Sequence, residues 1–224
     1  AHGLAIGDLD RDGKPDVVVA NPGTNTVSVL LGVGDGTLRS IGDFVTSAPH
    51  TAGIGDLDGD GVPDLAIANF DASTISVLIG IGDGAFRAEP DLYTGEGAHA
   101  AMIRDIDGDG MTDLIAANQI ANTVSFFMGH GDGSFGSKSD FSNGQGAHAI
   151  AAGDLNEDGA LDLAVSNIVS NTVTIFLNRR PPPPVHPARA FLVDRNTMIP
   201  LGRSAKPLLK IQVGQEKNIV VPAK

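Results

Sequence analysis

The sequence predicts an all-β chain of β-propeller blades: four repeats of four short antiparallel strands, with a short β-rich tail at the C-terminus. Three observations carry this expectation. One acidic loop pattern recurs four times, at spacings of 48, 49 and 49 residues, a period typical of arrays of supersecondary units. Short apolar runs of strand length bracket every copy of the loop. A third run in each repeat alternates apolar and small polar residues with period two, as a strand with one buried face does. Four antiparallel strands per repeat make a propeller blade, whereas the coils of a parallel β-helix repeat at shorter periods.

The elements follow in order. The first strand of each repeat is expected at Leu4-Ala5-Ile6, Ala52-Gly53-Ile54, Ala101-Met102-Ile103 and Ile150-Ala151-Ala152. The second follows the acidic loop, at Val17–Ala20, Leu65–Ala68, Leu114–Ala117 and Leu163–Val165, and closes on Asn21, Asn69, Asn118 and Asn167. The third alternates through Val27/Val29/Leu31, Ile75/Val77/Ile79, Val124/Phe126/Met128 and Val173/Ile175/Leu177, with Ser28, Ser76, Ser125 and Thr174 between them. After a Gly-Asp-Gly turn, a weaker fourth strand is expected from Leu38 to Phe44, Phe86 to Leu92 and Phe135 to Phe141. The fourth repeat lacks it, because Arg179-Arg180 and the prolines 181–184 intervene. The expected organisation is a propeller region at 1–178, with repeats at about 1–47, 48–96, 97–145 and 146–178. A Pro-rich linker at 179–187 leads to a tail at 188–224, with strands near 190–193, 208–213 and 219–221. The unfinished fourth blade needs an edge partner: a tail strand, a further segment or a neighbouring molecule.

The acidic loops carry the chemistry. Positions 1, 3, 5 and 9 are Asp8, Asp10, Asp12 and Asp16; Asp56, Asp58, Asp60 and Asp64; Asp105, Asp107, Asp109 and Asp113; Asp154, Asn156, Asp158 and Asp162. Position 6 is always glycine, and position 7, which would offer a backbone carbonyl, is Lys14, Val62, Met111 or Ala160. Carboxylates clustered this closely repel one another unless a hard cation lies between them, and Ca²⁺ takes six to eight oxygens in flexible geometry. Four Ca²⁺ sites are expected, the fourth weaker because Asn156 replaces a carboxylate. An EF-hand is excluded: its bidentate acid at position 12 is replaced by Val19, Ile67, Ala116 and Val165.

Composition agrees with this reading. Residues 1–178 hold 25 acids against 6 bases, and 15 of those acids are loop aspartates, so the acidity is mainly local ligand supply. Such a body repels nucleic-acid phosphates. There is no Cys, which excludes disulfides, thiol catalysis and thiolate metal sites. No apolar run is long enough for a transmembrane helix. The chain opens at Ala1-His2-Gly3, in phase with the middle of the later repeats, and is expected to be a fragment or a processed product.

The repeats resemble the FG-GAP (VCBS-like) repeats of integrin α-subunit propellers and many bacterial surface proteins. The name-giving Phe-Gly stands at Phe135-Gly136 and is altered to Phe86-Arg87 and Leu38-Arg39. The Gly-Ala-Pro element appears as Gly97-Ala98-His99 and Gly146-Ala147-His148, with Ala48-Pro49-His50 as a variant. The resemblance covers residues 1–178. It implies calcium-stabilised blades, placement outside the cell or on its surface, and adhesion or recognition.

His2, His50, His99 and His148 recur six residues before each first loop aspartate. Strand-entry residues bonded to backbone are one reading. A ring of imidazoles near a central opening, able to take a transition metal or an anion, is the other. His130 and His186 lie outside the series and are expected at the surface. Gly32-x-Gly34-x-Gly36 joins two strands instead of opening a helix, so it is not a nucleotide loop. Zinc-protease, nucleophile-elbow and P-loop motifs are absent from the sequence. The expected function is a non-catalytic, calcium-binding recognition or adhesion module for a protein or glycan, its binding face opposite the calcium turns with Tyr93, Glu96, Asn143 and Gln145 as candidates. A lectin propeller, or an accessory propeller of a larger secreted enzyme, is the alternative.

Overall fold

A computed structural model describes residues 1–178, and every regular element among them is a strand. The first sheet contains β1 (Leu4–Gly7), β2 (Asp16–Asn21), β3 (Thr26–Gly32) and β4 (Leu38–Val45). The second contains β5 (Pro49–Gly55), β6 (Asp64–Asn69), β7 (Thr74–Gly82), β8 (Ala85–Ala88) and β9 (Leu92–Tyr93). The third contains β10 (Ala98–Arg104), β11 (Asp113–Asn118), β12 (Thr123–Phe127) and β13 (Ser139–Ser142), and the fourth β14 (Ala147–Gly153), β15 (Asp162–Asn167) and β16 (Thr172–Phe176). Each sheet is an antiparallel meander in chain order, the arrangement of propeller blades. The linker expected at 179–187, the tail at 188–224 with its three strands, His186 and any tail cover for the fourth blade lie outside the described residues.

Three apolar cores lie between consecutive sheets. Val18, Val27, Val29 and Leu31 of the first meet Leu65, Ile67 and Leu78 of the second. Ala66, Ile75, Val77 and Ile79 meet Ile103, Leu114, Ala116 and Phe127. Ile115, Val124 and Phe126 meet Leu163, Val165 and Phe176. The short apolar runs of the second strands suit cover on both faces, and β6 and β11 are buried throughout. The alternation of the third strand marks one buried face, but in β7 both faces are buried from Thr74 to Gly80. These strands sit between two neighbouring sheets. The alternating pattern survives in β2 and β3, where Leu4 and Ile6 of β1 remain about 70% exposed on the free face.

The fourth strand also departs from expectation in the middle sheets. It is continuous in β4, but in the second sheet it breaks into β8 and β9. Pro90 sits in the gap, and proline offers no N–H to a ladder. In the third sheet Phe135 contributes one isolated bridge to Gly129 before β13 begins.

The first strands of consecutive sheets lie against one another: β1 contacts β5, β5 contacts β10 and β10 contacts β14. Glycine permits this. A Cβ on Gly3 would stand 2.3 Å from the His50 carbonyl oxygen, and one on Gly55 would stand 2.6 Å from the Ile103 side chain. The hairpin turns between second and third strands tie each sheet to the next. Asn25 accepts from Ala48 N–H at 2.9 Å, Ser73 from Gly97 at 3.1 Å and Asn122 from Gly146 at 2.7 Å.

Candidate functional site

Each acidic loop is the hairpin between the first and second strands of its sheet. The turn closes because positions 4 and 6 both enter the left-handed region. Position 6 is Gly13, Gly61, Gly110 or Gly159, with φ between 80° and 92°. Position 4 is glycine in the middle loops (Gly59 and Gly108) but Arg11 and Glu157 in the outer two, at φ 62° and 63°. A side chain there costs on the order of 1 kcal/mol. Only position 6 is glycine in all four loops, so the left-handed turn at position 4 leaves no invariant mark on the sequence.

The carboxylates fold inward through one repeated set of bonds. The position 1 aspartate accepts from the position 6 N–H, as in Asp8 from Gly13 at 3.0 Å, Asp56 from Gly61 at 3.0 Å, Asp105 from Gly110 at 2.9 Å and Asp154 from Gly159 at 2.9 Å. Position 3 accepts from the position 5 N–H, and position 5 from the position 7 N–H. Three loops thereby gather three carboxylates each, Asp8/Asp10/Asp16, Asp56/Asp58/Asp64 and Asp105/Asp107/Asp113, with one oxygen from every member within 4.8 Å of the others. The position 5 residues Asp12, Asp60 and Asp109 stand at the rim of these triads. Asp12 is held there by a salt bridge with Lys14, which keeps its carboxyl below the usual range.

Position 9 does more than the spacing revealed. Asp16, Asp64, Asp113 and Asp162 are at most 1% exposed, and each carboxylate joins the loop to the C-terminal end of the third strand of its own sheet. Asp64 accepts from Leu57 N–H at 2.6 Å and from Gly80 N–H at 2.7 Å. Asp113 accepts from Ile106 and Gly129, both at 2.9 Å. Asp16 takes Leu9 and Gly32, and Asp162 takes Leu155 and Asn178. Every oxygen keeps a second lone pair for a cation. Burial pushes Asp64 and Asp113 up to about 6, with the neighbouring loop carboxylates adding to the rise.

The second loop residue was also missed. Leu9, Leu57 and Ile106 are 1–3% exposed plugs in the three cores between sheets, whereas Leu155 is 55% exposed. Another missed feature is a polar line across the sheets. Asn69 donates to Ser76, which donates to Asp91. Asn118, Ser125 and Asp140 repeat this arrangement. The recurring Asn and Ser were legible, but their acidic partner lies 15 residues beyond the serine and follows no loop pattern.

A fitted cation must answer two features of the first loop. Asp8 Oδ1 is buried with no hydrogen-bond partner among the described residues, and the triad's three oxygens crowd together. Oxygens on opposite sides of one Ca²⁺ stand about 4.8 Å apart, twice the usual Ca–O distance. The all-oxygen donor set suits this hard cation. In the fourth loop Asn156 accepts from Asp158 N–H and donates its amide to Asp158 Oδ2 at 3.1 Å. The amide thus occupies an oxygen that carries no hydrogen bond among the described residues in the second and third loops and that Lys14 pairs with in the first.

The FG-GAP-like repeat matches residues 8–67, 56–116 and 105–165. The chain belongs to the FG-GAP-like repeat family. No curated protein matches it significantly. Similar solved structures share the FG-GAP-like chain's fold at low identity. A candidate 6-phosphogluconolactonase of Bacteroides uniformis ATCC 8492 is 12% identical with TM-score 0.61, over 80% of this chain and 50% of that one. An Agrocybe aegerita lectin recognising non-reducing terminal N-acetylglucosamine is 21% identical with TM-score 0.53, over 77% and 47%. A functionally unknown protein of Desulfotomaculum acetoxidans DSM 771 is 18% identical with TM-score 0.58, over 78% and 54%. The chain spans about half the length of these structures.

The remaining candidates divide. Tyr93 is 77% exposed, and Glu96 and Gln145 are also exposed. Asn143 instead donates to Asn167 at 2.6 Å and belongs to the scaffold. His2, His50, His99 and His148 converge at the opposite end of the first strands from the acidic loops, with His99 and His148 ring centres 3.7 Å apart. Among the described residues no helix is long and apolar enough to cross a membrane.

His99 gives a pH prediction. Burial first, then the His148, His50 and His2 imidazoles, lower its value from 6.5 to about 4. The unfolded chain therefore takes up a proton below pH 6.5 that the folded chain refuses until about pH 4, and stability falls across that window. Asp64 and Asp113 act in the opposite sense, so the comparison must be differential. The stability advantage of wild type over His99→Gln is expected to shrink steadily from pH 7 to pH 4.5 in denaturant titrations. An advantage independent of pH overturns the assignment.

Proposed function

We propose that this FG-GAP-like chain is a calcium-stapled propeller module for recognition or adhesion, non-catalytic and working outside the cell or on its surface. The triads of oxygens within 4.8 Å, one of them containing the partnerless Asp8 Oδ1, carry the calcium part of this reading. The ligands are the side-chain oxygens at positions 1, 3, 5 and 9, carboxylate in all but Asn156, and the position 7 carbonyls, completed by water. Bound Ca²⁺ would neutralise the corner and favour the ionised form of Asp64 and Asp113. Its role is structural: it fixes the turn from which the second strand starts.

Recognition falls to the opposite rim, where Tyr93, Glu96 and Gln145 are exposed and differ between repeats. The partner there is a protein or a glycan. An exposed tyrosine can stack on a sugar ring, which favours the lectin form of the reading, and the similarity in fold to a lectin points the same way. A glycan array with Tyr93→Ala as control separates the two partner classes.

Calorimetric titration of metal-free protein with Ca²⁺ tests the calcium assignment. Three tighter sites and one weaker are expected, and Asn156→Asp should strengthen the weak one by about tenfold, the effect of one more charged ligand. No calcium binding at any loop, or four equal sites unaffected by Asn156→Asp, would overturn it.

A further inference from the structure

We propose that His2, His50 and His99 form a site for one divalent transition-metal ion of the zinc class, at the end of the first strands away from the acidic loops. The fold aims these side chains deliberately. The ladder between first and second strands skips one residue in three sheets: pairing jumps from Pro49 to Thr51, from Ala98 to Ala100 and from Ala147 to Ala149. The skipped residues are His50, His99 and His148. A bulge of this kind re-aims a side chain out of the regular alternation, and here it turns successive imidazoles toward one another. His2 and His50 stack at 4.4 Å between ring centres, His50 and His99 meet edge-on at 4.7 Å, and His2 and His99 at 5.3 Å. One ring nitrogen from each of the three lies within 4.8 Å of the others.

Hydrogen bonding prepares the rings as ligands. His99 Nδ1 donates to the His148 carbonyl at 2.9 Å, and His2 Nδ1 to the His50 carbonyl at 3.3 Å. A backbone acceptor on one ring nitrogen fixes the tautomer and leaves the lone pair on the other, as in metal-ligating histidines generally. His50 breaks this series. The carbonyl it would use, that of His99, accepts from the Thr51 hydroxyl at 3.3 Å. The residues in the place of Thr51 elsewhere, Gly3, Ala100 and Ala149, have no hydroxyl. His50 Nδ1 is consequently buried with no partner among the described residues. A buried polar nitrogen left without a bond is costly, and a metal ion in the cluster supplies what the protein does not.

Charge favours a metal cation over an anion. Burial lowers the proton affinity of His50, His99 and His148, and the neighbouring imidazoles lower it further. A lowered proton affinity at His50 and His99 suits a metal more than an anion. Asp71 is the carboxylate whose charge reaches His50. Nitrogens around a tetrahedral Zn²⁺ stand about 3.3 Å apart, so the cluster must tighten slightly, and exposed His2 is free to make that movement. Three ligands leave the fourth position open to water or to a partner's donor atom. Phe70 stacks on His50 at 4.6 Å and closes one side of the cluster.

The test titrates untagged full chain with Zn²⁺ while millimolar Ca²⁺ occupies the acidic loops, and records the visible absorption of Co²⁺ added in place of Zn²⁺. One ion per chain is expected, with a Co²⁺ spectrum of nitrogen ligation. His2→Ala and His50→Ala should each weaken binding more than tenfold and bleach the spectrum, while His130→Ala leaves both unchanged. His2 is exposed, so its replacement leaves the fold intact and decides the matter even where His50→Ala fails to fold. Absence of saturable Zn²⁺ binding, or binding equal in wild type and His2→Ala, overturns the proposal. Either result leaves the calcium assignment standing, because the two sites share no residue.

Discussion

Removing calcium with a chelator is expected to lower the thermal midpoint by about 20 °C, the largest effect foreseen for this FG-GAP-like chain. A ligand that binds only the folded state stabilises it by about 2.7 kcal/mol at a hundredfold excess over its Kd. Three strong loops at that excess contribute about 8 kcal/mol, and a domain of this size shifts by about 2–4 °C per kcal/mol. The origin is local: the triads crowd carboxylate oxygens within 4.8 Å, and burial already opposes ionisation of Asp64 and Asp113. Calorimetry with and without chelator, at constant ionic strength, makes the measurement. Refilling with Ca²⁺ should restore the midpoint and Mg²⁺ should not, since Mg²⁺ demands stricter octahedral geometry and sheds water reluctantly. A midpoint insensitive to chelator would show that these corners stand without a cation.

The second large effect separates two aspartates of a single loop. Asp64→Ala is expected to destabilise the protein by about 3–5 kcal/mol, because it strands two buried backbone donors at about 1–3 kcal/mol each. Those donors are Leu57 N–H and Gly80 N–H. The loss persists in chelator, since neither bond involves a metal. Asp60→Ala should cost under about 1 kcal/mol in chelator, as expected at an exposed site, while still weakening calcium binding at that loop. Denaturant melts of both variants, with and without Ca²⁺, give the four numbers required. Equal losses from the two substitutions in chelator would remove the distinction between a ligand at the rim and a buried tie.

Much of this was legible in the sequence, for reasons that can be named. The loop aspartates stand out because their spacing obeys the turn itself, and the strands on either side follow from apolar runs of fixed length. Fold and family therefore emerged from four in-phase copies. The dual role of Asp64 did not, because Gly80 lies 16 residues away and bonds through its backbone, which leaves no mark on residue type. Burial on both faces of β7 was equally hidden: Ser76 between apolar neighbours reads as an outward residue until a second sheet covers it. The break between β8 and β9 could have been read from Pro90. The histidine series was visible as a recurrence, but its convergence depends on bulges, and a bulge adds a residue without changing composition.

The buried tie in each acidic corner begins and ends inside one sheet. Asp64 reaches Leu57 and Gly80, and Asp113 reaches Ile106 and Gly129, never a neighbour's strand. Every unit thus carries its own clasp, and tandem duplication or deletion of a unit removes no partner from the clasps that remain. Lineages of such chains are free to vary in unit number while each clasp keeps its strength.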